Sequence, residues 1–276
     1  ICARTILHGL GTIEVKPVSQ TLQISSFSNP KFKWLKSLAK SKNRKKENLF
    51  LMEGRPELDH AISSGTQIEL AAFCESYISE ANVQELVGDV NLIKLDKALF
   101  DDLAYQCVPD NFILVLKDWS HKLTDLDPNK NVVVLEGLEK PGNLGAILRT
   151  CDAAGFDQIM VCDSEIDLFN PKVLRNSRGA TFGIKCVFTS NEEAFAWLQN
   201  NNHSTYAAAI GNNSVEFSKL ETARKIAFVF GAESKGLTDF WIENSDQAFM
   251  LPMEGIVDSL NLSVAVGIVL YLKSWS

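Results

Sequence analysis

The chain has 276 residues, of which 46% are hydrophobic; this is enough to bury the core of one large or two ordinary domains, so wholesale disorder is excluded. Its 27 Lys+Arg against 34 Asp+Glu give a net charge of −7, which excludes a uniformly basic nucleic-acid binder but not a local concentration of positive charge. The six cysteines include no Cys-x-x-Cys pair, the four histidines stand at no ligand-like spacing, and the cysteines in AAFCES and IMVCDS lie in apolar runs. Buried thiols, no metal site and a reducing, cytoplasmic location are therefore expected.

Along the chain, residues 1–20 lack a continuous apolar stretch of the secretory kind, and residues 1–27 are expected to be a disordered extension. The segment KFKWLKSLAKSKNRKK, residues 31–46, then carries Lys31, Lys33, Lys36, Lys40, Lys42, Arg44, Lys45 and Lys46 with no acid before Glu47. Phe32, Leu35, Leu38 and Ala39 recur at three- and four-residue spacing. This predicts one amphipathic helix with its cations on the solvated face. An apolar run at 49–52, a helix opening near Pro56, strands at 68–73, 91–95 and 112–116, and helices at 83–87 and 97–105 complete a layered α/β/α block over residues 28–117.

Residues 118–130 are polar, contain Pro128-Asn129, and read as a linker. The second block, residues 131–276, offers VVVLEG, QIMVCDS, IKCVFTS, TYAAAI, IAFVFG and QAFMLPM as strands. Helices are expected near 143–154, 170–178, 191–200 and 258–273. Near-continuous apolar strands predict a parallel sheet covered on both faces, and ligands bind at the carboxyl ends of such strands. The longest uncharged run, residues 259–272, falls short of the roughly 20 apolar residues that span a bilayer, so no membrane association is expected.

Three loops at strand ends depart from ordinary turns. After VVVLEG, Gly142 and Gly145 bracket Asn143 ahead of a helix that carries Arg149; glycines there let backbone N–H groups approach a ligand. The spacing matches neither a dinucleotide fingerprint nor a phosphate loop, which disfavours a generic nucleotide-dependent α/β enzyme. After IAFVFG, Glu233 sits between Gly231 and Gly236, where a carboxylate needs hydrogen bonds or a cation. In LPMEGIVDSLNLSVAV, Ser259, Asn261 and Ser263 interrupt the start of an apolar helix; an N-cap accounts for one of them, not three.

Together PGNLGAILR, FVFGAESKGL and LPMEGIVDSLNLSVA resemble the three signature motifs of the SpoU (TrmH) class of SPOUT RNA methyltransferases, and the first block resembles that class's ribosomal-protein-like RNA-binding domain. PKVLRNSRGATFGI is similar to the region between the first two motifs, with Arg178 where a small or hydrophobic residue is commoner. The resemblance implies a C-terminal SPOUT domain whose parallel sheet is closed by a deep trefoil knot. It implies S-adenosylmethionine bound by Gly231, Leu251 and Leu260, with Met253 and Gly255 on the same loops and Asn261 near the reactive end. The implied reaction is methyl transfer to a ribose 2′-hydroxyl of RNA, with Arg149 acting on that hydroxyl, Asn143 and Glu233 orienting each other and Arg149, and Ser259 and Ser263 adding hydrogen bonds.

Under this reading the basic segment, together with Arg55, contacts RNA phosphates; Phe32 and Trp34, at helical spacing, belong to the core more readily than to base stacking. A complete first domain favours ribosomal over transfer RNA, and a homodimer is implied. A tRNA 2′-O-methyltransferase, or a non-catalytic RNA-binding ribosome-assembly factor of the same fold, are the alternatives; the intact Asn143, Arg149, Glu233, Ser259 and Asn261 speak against the latter.

Overall fold

A computed structural model describes residues 21–275 apart from Gln106 and Asn212; residues 1–20, most of the expected extension, lie outside the described residues. Every strand expected in either block is present. The first sheet contains β1 (Leu22–Ile24), β2 (Leu49–Glu53), β3 (Ile68–Phe73), β4 (Asn91–Leu95) and β5 (Ile113–Lys117) in the order β1-β4-β3-β5-β2. β5 runs antiparallel to both of its neighbours. The extension therefore does not reach residue 27: Leu22 pairs with Ile93 and Ile24 with Leu95, and Ile24 is buried. Three residues are too few to carry a periodic signal.

Helices α1 (Pro30–Ser37) and α5 (Lys97–Leu103) cover one face of this sheet, packing Phe32, Leu35, Leu99 and Phe100 on Ala72, Ile93 and Val115. Helices α3 (Arg55–Ser63) and α4 (Glu80–Val87) cover the other. The basic segment is not one helix. It breaks between α1 and α2 (Ser41–Glu47), where Leu38 turns into the core and Lys40 becomes extended at φ −95°.

The break redirects Arg44, which was expected on the RNA-facing side and is instead 3% exposed. Its Nη1 donates to the carbonyls of Leu38 at 2.8 Å and Ala39 at 2.7 Å, groups that the end of α1 leaves unsatisfied. Its Nε and Nη2 donate to Asp167 at 2.9 and 2.6 Å. A guanidinium so enclosed cannot reach a phosphate.

The second sheet is wholly parallel, as the apolar strands predict. Its strands are β6 (Val132–Glu136), β7 (Gln158–Cys162), β8 (Lys185–Thr189), β9 (Ser204–Ala208), β10 (Val215–Glu216), β11 (Ile226–Phe230) and β12 (Gln247–Met250), ordered β10-β12-β9-β11-β6-β7-β8. On one face lie α6 (Pro141–Ala153), α7 (Pro171–Ser177) and α10 (Leu262–Ser274); on the other, α8 (Asn191–Asn200) and α9 (Asp239–Asn244). The terminal helix begins at Leu262 rather than near 258, because Asn261 is its cap, accepting the Ser263 N–H at 3.0 Å. Ser259 stays in the preceding loop.

The two sheets share an apolar layer. Phe50 of β2 stacks on Phe169 at 4.4 Å, and Trp119, in the segment joining the sheets, meets both rings edge-on. Cys74, Cys151, Cys162 and Cys186 are buried, and burial pushes the Cys186 thiol up to about 12. Among the described residues, no helix is long and apolar enough to cross a membrane.

Candidate active site

The three unusual loops converge on one carboxylate. Glu233, just beyond β11, accepts hydrogen bonds from Lys140 Nζ and Asn143 Nδ2 of the first loop, the latter at 2.9 Å. It also accepts from Asn261 Nδ2 and from the Leu262 N–H at 3.3 Å, and Asn261 Nδ2 lies 3.3 Å from Asn143 Oδ1. The Lys140 ammonium, then the Asn143 amide and the Leu262 N–H at the start of α10, hold the Glu233 carboxyl below the usual glutamate range. Glu233 is thus a saturated acceptor that fixes two amides. Ser263 is tied in as well, its Oγ donating to Asn261 Oδ1 at 2.6 Å.

Beside this cluster is a cavity of about 480 Å³ at the carboxyl ends of β9, β11 and β12. Its lining includes Gly231, Leu251, Met253, Ser259 and Leu260, so four of the six residues expected to hold a cofactor line one cavity. Gly255 lies in the exposed stretch beyond that lining, and Asn261 faces Glu233. The glycine at 231 has a local cause: a Cβ there would lie 2.1 Å from the Gly236 carbonyl carbon and 2.3 Å from the Leu237 nitrogen. The loop folds back on itself through the Gly236 N–H donating to Ala232 O at 2.8 Å, with Gly236 at φ +68°.

Gly145 also has a packing role rather than the ligand approach expected of it. A Cβ there would sit 2.5 Å from Val173 O and 2.7 Å from Asn176 Cβ, so the glycine lets α6 cross closely over α7. Two further site groups escaped the sequence motifs. Lys140 is one; a charge directly before Pro141 was its only signal in the sequence. Glu136 is the other. It is 4% exposed at the end of β6 and accepts from Asn191 Nδ2 at 2.6 Å, Thr238 N at 2.8 Å and Thr238 Oγ1 at 2.6 Å, which anchors the Gly231–Gly236 loop from below.

Arg149 is not brought to Glu233. It lies six positions beyond Asn143 on α6, about 9 Å of rise and a different helix face. It is exposed, makes no hydrogen bond or ion pair among the described residues, and lines a separate groove with Arg175, Asn176, Arg178 and Tyr271. Of the basic segment, Lys33, Lys40, Lys42, Lys45 and Lys46 are exposed, as is Arg55. Lys36 pairs with Asp102 at 2.6 Å, and Lys31 lies 4.0 Å over the Trp34 ring. Trp34 packs at the edge of the first sheet's core.

Known proteins match this arrangement along nearly the whole chain. A family model described as the SpoU rRNA Methylase family matches residues 130–271, just over half the chain, and one described as the MRM3-like substrate binding domain matches residues 29–113. The 23S rRNA (guanosine(2553)-2′-O)-methyltransferase RlmP of Bacillus subtilis (strain 168) is 29% identical over 250 residues, spanning 90% of this chain and 98% of that protein. A solved RNA 2′-O ribose methyltransferase superposes with a TM-score of 0.80 at 30% identity, covering 92% of this chain and 99% of its own. An AdoMet-bound rRNA methyltransferase from Sinorhizobium meliloti shares the fold, with a TM-score of 0.82 at 23% identity over 91% of this chain and 96% of that one. The expected α/β architecture is therefore that of the SPOUT methyltransferases, and the chain belongs to the SpoU rRNA methylase family.

Proposed function

We propose that this chain transfers a methyl group from S-adenosylmethionine to a ribose 2′-hydroxyl of RNA, with ribosomal RNA as the substrate. The observation that carries this reading is the junction of Asn143, Glu233 and Asn261 beside a mainly apolar cavity lined in part by the loops that follow β11 and β12. Such a cavity suits the flat, weakly polar faces of an adenine, while backbone N–H and C=O groups of the loops serve its edges. Gly231, Leu251 and Leu260 would hold the adenosyl part, with Met253 and Gly255 on the same loops, and Asn261 would stand near the reactive end. The relative named as a 2′-O-methyltransferase of 23S rRNA supports the substrate class, as does the match of the first domain to a substrate-binding family.

When bound, S-adenosylmethionine supplies an electrophilic methyl group, so the chain has to align the ribose hydroxyl and ease the loss of its proton. Arg149 is the residue assigned to the RNA side. A charged guanidinium has no free lone pair; its part is to clamp the neighbouring phosphate and stabilise charge developing on the oxygen. Glu233, held ionised and saturated with donors, is a poor base. It fixes Asn143 and Asn261, and Ser259 offers a hydroxyl at the cavity wall.

A homodimer belongs to the same reading. Val264, Ile268, Tyr271, Leu272 and Trp275 expose an apolar stripe along α10, which a second copy would cover. Tyr271 belongs to both that stripe and the Arg149 groove, so a partner bound there abuts Arg149. Transfer of tritiated methyl groups to unmodified ribosomal RNA tests the activity; labelled transfer RNA with unlabelled ribosomal RNA would redirect it to the other substrate.

A further inference from the structure

A second groove, of about 600 Å³, runs between the two domains and is bordered by Arg55, Tyr105, Arg175 and Arg178. Arg175 and Arg178 also line the groove that holds Arg149, so this interdomain channel and the Arg149 groove meet at two shared arginines. The channel has acids, but most are engaged. Glu53 accepts the Tyr105 N–H at 2.5 Å and lies 3.6 Å from Arg175 Nη2; Asp102 pairs with Lys36. Glu57 is buried, and burial pushes its carboxyl above the usual range. Arg55, Arg178 and Arg149 are exposed and form no hydrogen bond or ion pair among the described residues. Exposed Asp110 and the buried Glu57, which interacts with Arg178 and Arg175, are set against Arg55, Arg178 and Arg149, so the open charge of the channel is cationic on balance.

Two features single out Arg178 and Tyr105. Arg178 caps α7 with φ +51°, the left-handed conformation that favours glycine at a helix end, yet the position carries a long cation. Next to it Gly179, at φ +92°, passes so close to the first domain that a Cβ would lie 2.3 Å from His60 Cδ2; the cation thus stands at the seam between the domains. Tyr105 is 67% exposed, with the Arg175 guanidinium 3.3 Å from its ring centre. One ring face is taken by the guanidinium, and the exposure leaves ring surface on which an unpaired base can stack.

We propose that this interdomain channel binds a single-stranded stretch of the substrate RNA, with Arg178 and Arg55 on its phosphates and Tyr105 stacking on a base next to the nucleotide presented to Arg149. The inference rests on the RNA methyltransferase reading and adds to it a binding track that the lysines of α1 and α2 do not supply. Phosphate contacts give a salt-dependent affinity and stacking a salt-independent one, so the two parts separate in one experiment.

The test is fluorescence anisotropy of a labelled 20-nucleotide single-stranded RNA of mixed sequence with the full chain over a range of salt. Arg178→Gly suits the left-handed backbone, so the fold should be kept. It is expected to weaken binding about tenfold near 0.1 M salt and to lower the salt slope by about one, with Arg178→Lys restoring the slope. Tyr105→Leu is expected to weaken binding about fivefold with the slope unchanged. S-adenosylmethionine affinity should stay as in the wild type for all three. Wild-type affinity and slope in Arg178→Gly would overturn the channel while leaving the methyltransferase reading intact. Displacement of the RNA by polyglutamate as readily as by unlabelled RNA would also overturn it, in favour of an acidic protein partner. A wild-type chain that bound neither this oligomer nor ribosomal RNA would bring down both readings.

Discussion

Arg44 and Asp167 form a buried ion pair across the two domains, 2.6 Å between Nη2 and Oδ2, with side chains 3% and 10% exposed. The same guanidinium satisfies two carbonyls at the end of α1, so one side chain joins the basic segment to the loop after β7. Its charge is spent inside the protein.

Arg44→Ala should therefore act on stability rather than on RNA binding. Removing the guanidinium leaves the Asp167 carboxylate without its counter-charge, though still accepting from the Phe169 N–H, and leaves the buried Leu38 carbonyl without a donor, at a cost of about 3–5 kcal/mol. Chemical denaturation checks the loss. A lowered salt slope for RNA binding with stability unchanged would return Arg44 to the RNA surface.

The exposed lysines should behave in the opposite way. Changing Lys33, Lys40, Lys42, Lys45 and Lys46 together to Ala is expected to reduce the RNA salt slope by about one for each phosphate no longer neutralised, leaving the folded state and S-adenosylmethionine affinity as they were. An unchanged slope would make the run a solubilising surface only.

Glu233→Gln should lower kcat by about 10²-fold, since the amide no longer accepts from Lys140, Asn143 and Asn261 together and the reacting geometry loosens. The folded-state pKa of Glu233 is depressed, so its contribution is fully present above the ordinary glutamate range and is lost only as pH falls through the lowered value. The stability difference between wild type and variant should stay flat from pH 8 to about pH 5 and shrink in stronger acid. An inflection between pH 6 and 7 would show that the carboxylate is not held ionised by these donors.

Two glycines separate loop shape from ligand binding. Gly231→Ala forces a Cβ into the Gly236 backbone, and S-adenosylmethionine binding should fall below detection in calorimetry. Gly255→Ala meets no heavy atom within 4 Å and should change that affinity less than about threefold. Equal effects at both sites would mean that the folded-back loop does not shape the cavity.

The parallel sheet was legible because unbroken apolar strands such as VVVLE and IAFVF stand between polar turns, and the site loops were legible because glycines and small polar residues interrupt that pattern at strand ends. What escaped depends on contacts between distant segments. Helical spacing in residues 31–46 places Phe32, Leu35 and Leu38 inside but carries no sign of the break before Ser41 or of Asp167, which together turn Arg44 inward. The role of Gly145 needs α7 lying across it, and β1 is too short to show a period. The α10 boundary was displaced because three polar residues compete as caps and only Asn261 bonds the helix start.

The most direct test of the account is to incubate the chain with tritiated S-adenosylmethionine and unmodified ribosomal RNA, digest the RNA and identify the labelled nucleoside, with Arg149→Ala alongside. A 2′-O-methylnucleoside is expected from the wild type, none from the variant, and equal S-adenosylmethionine affinity for both by calorimetry. Label on a base, or an Arg149→Ala chain that methylates ribose at the wild-type rate, would contradict it.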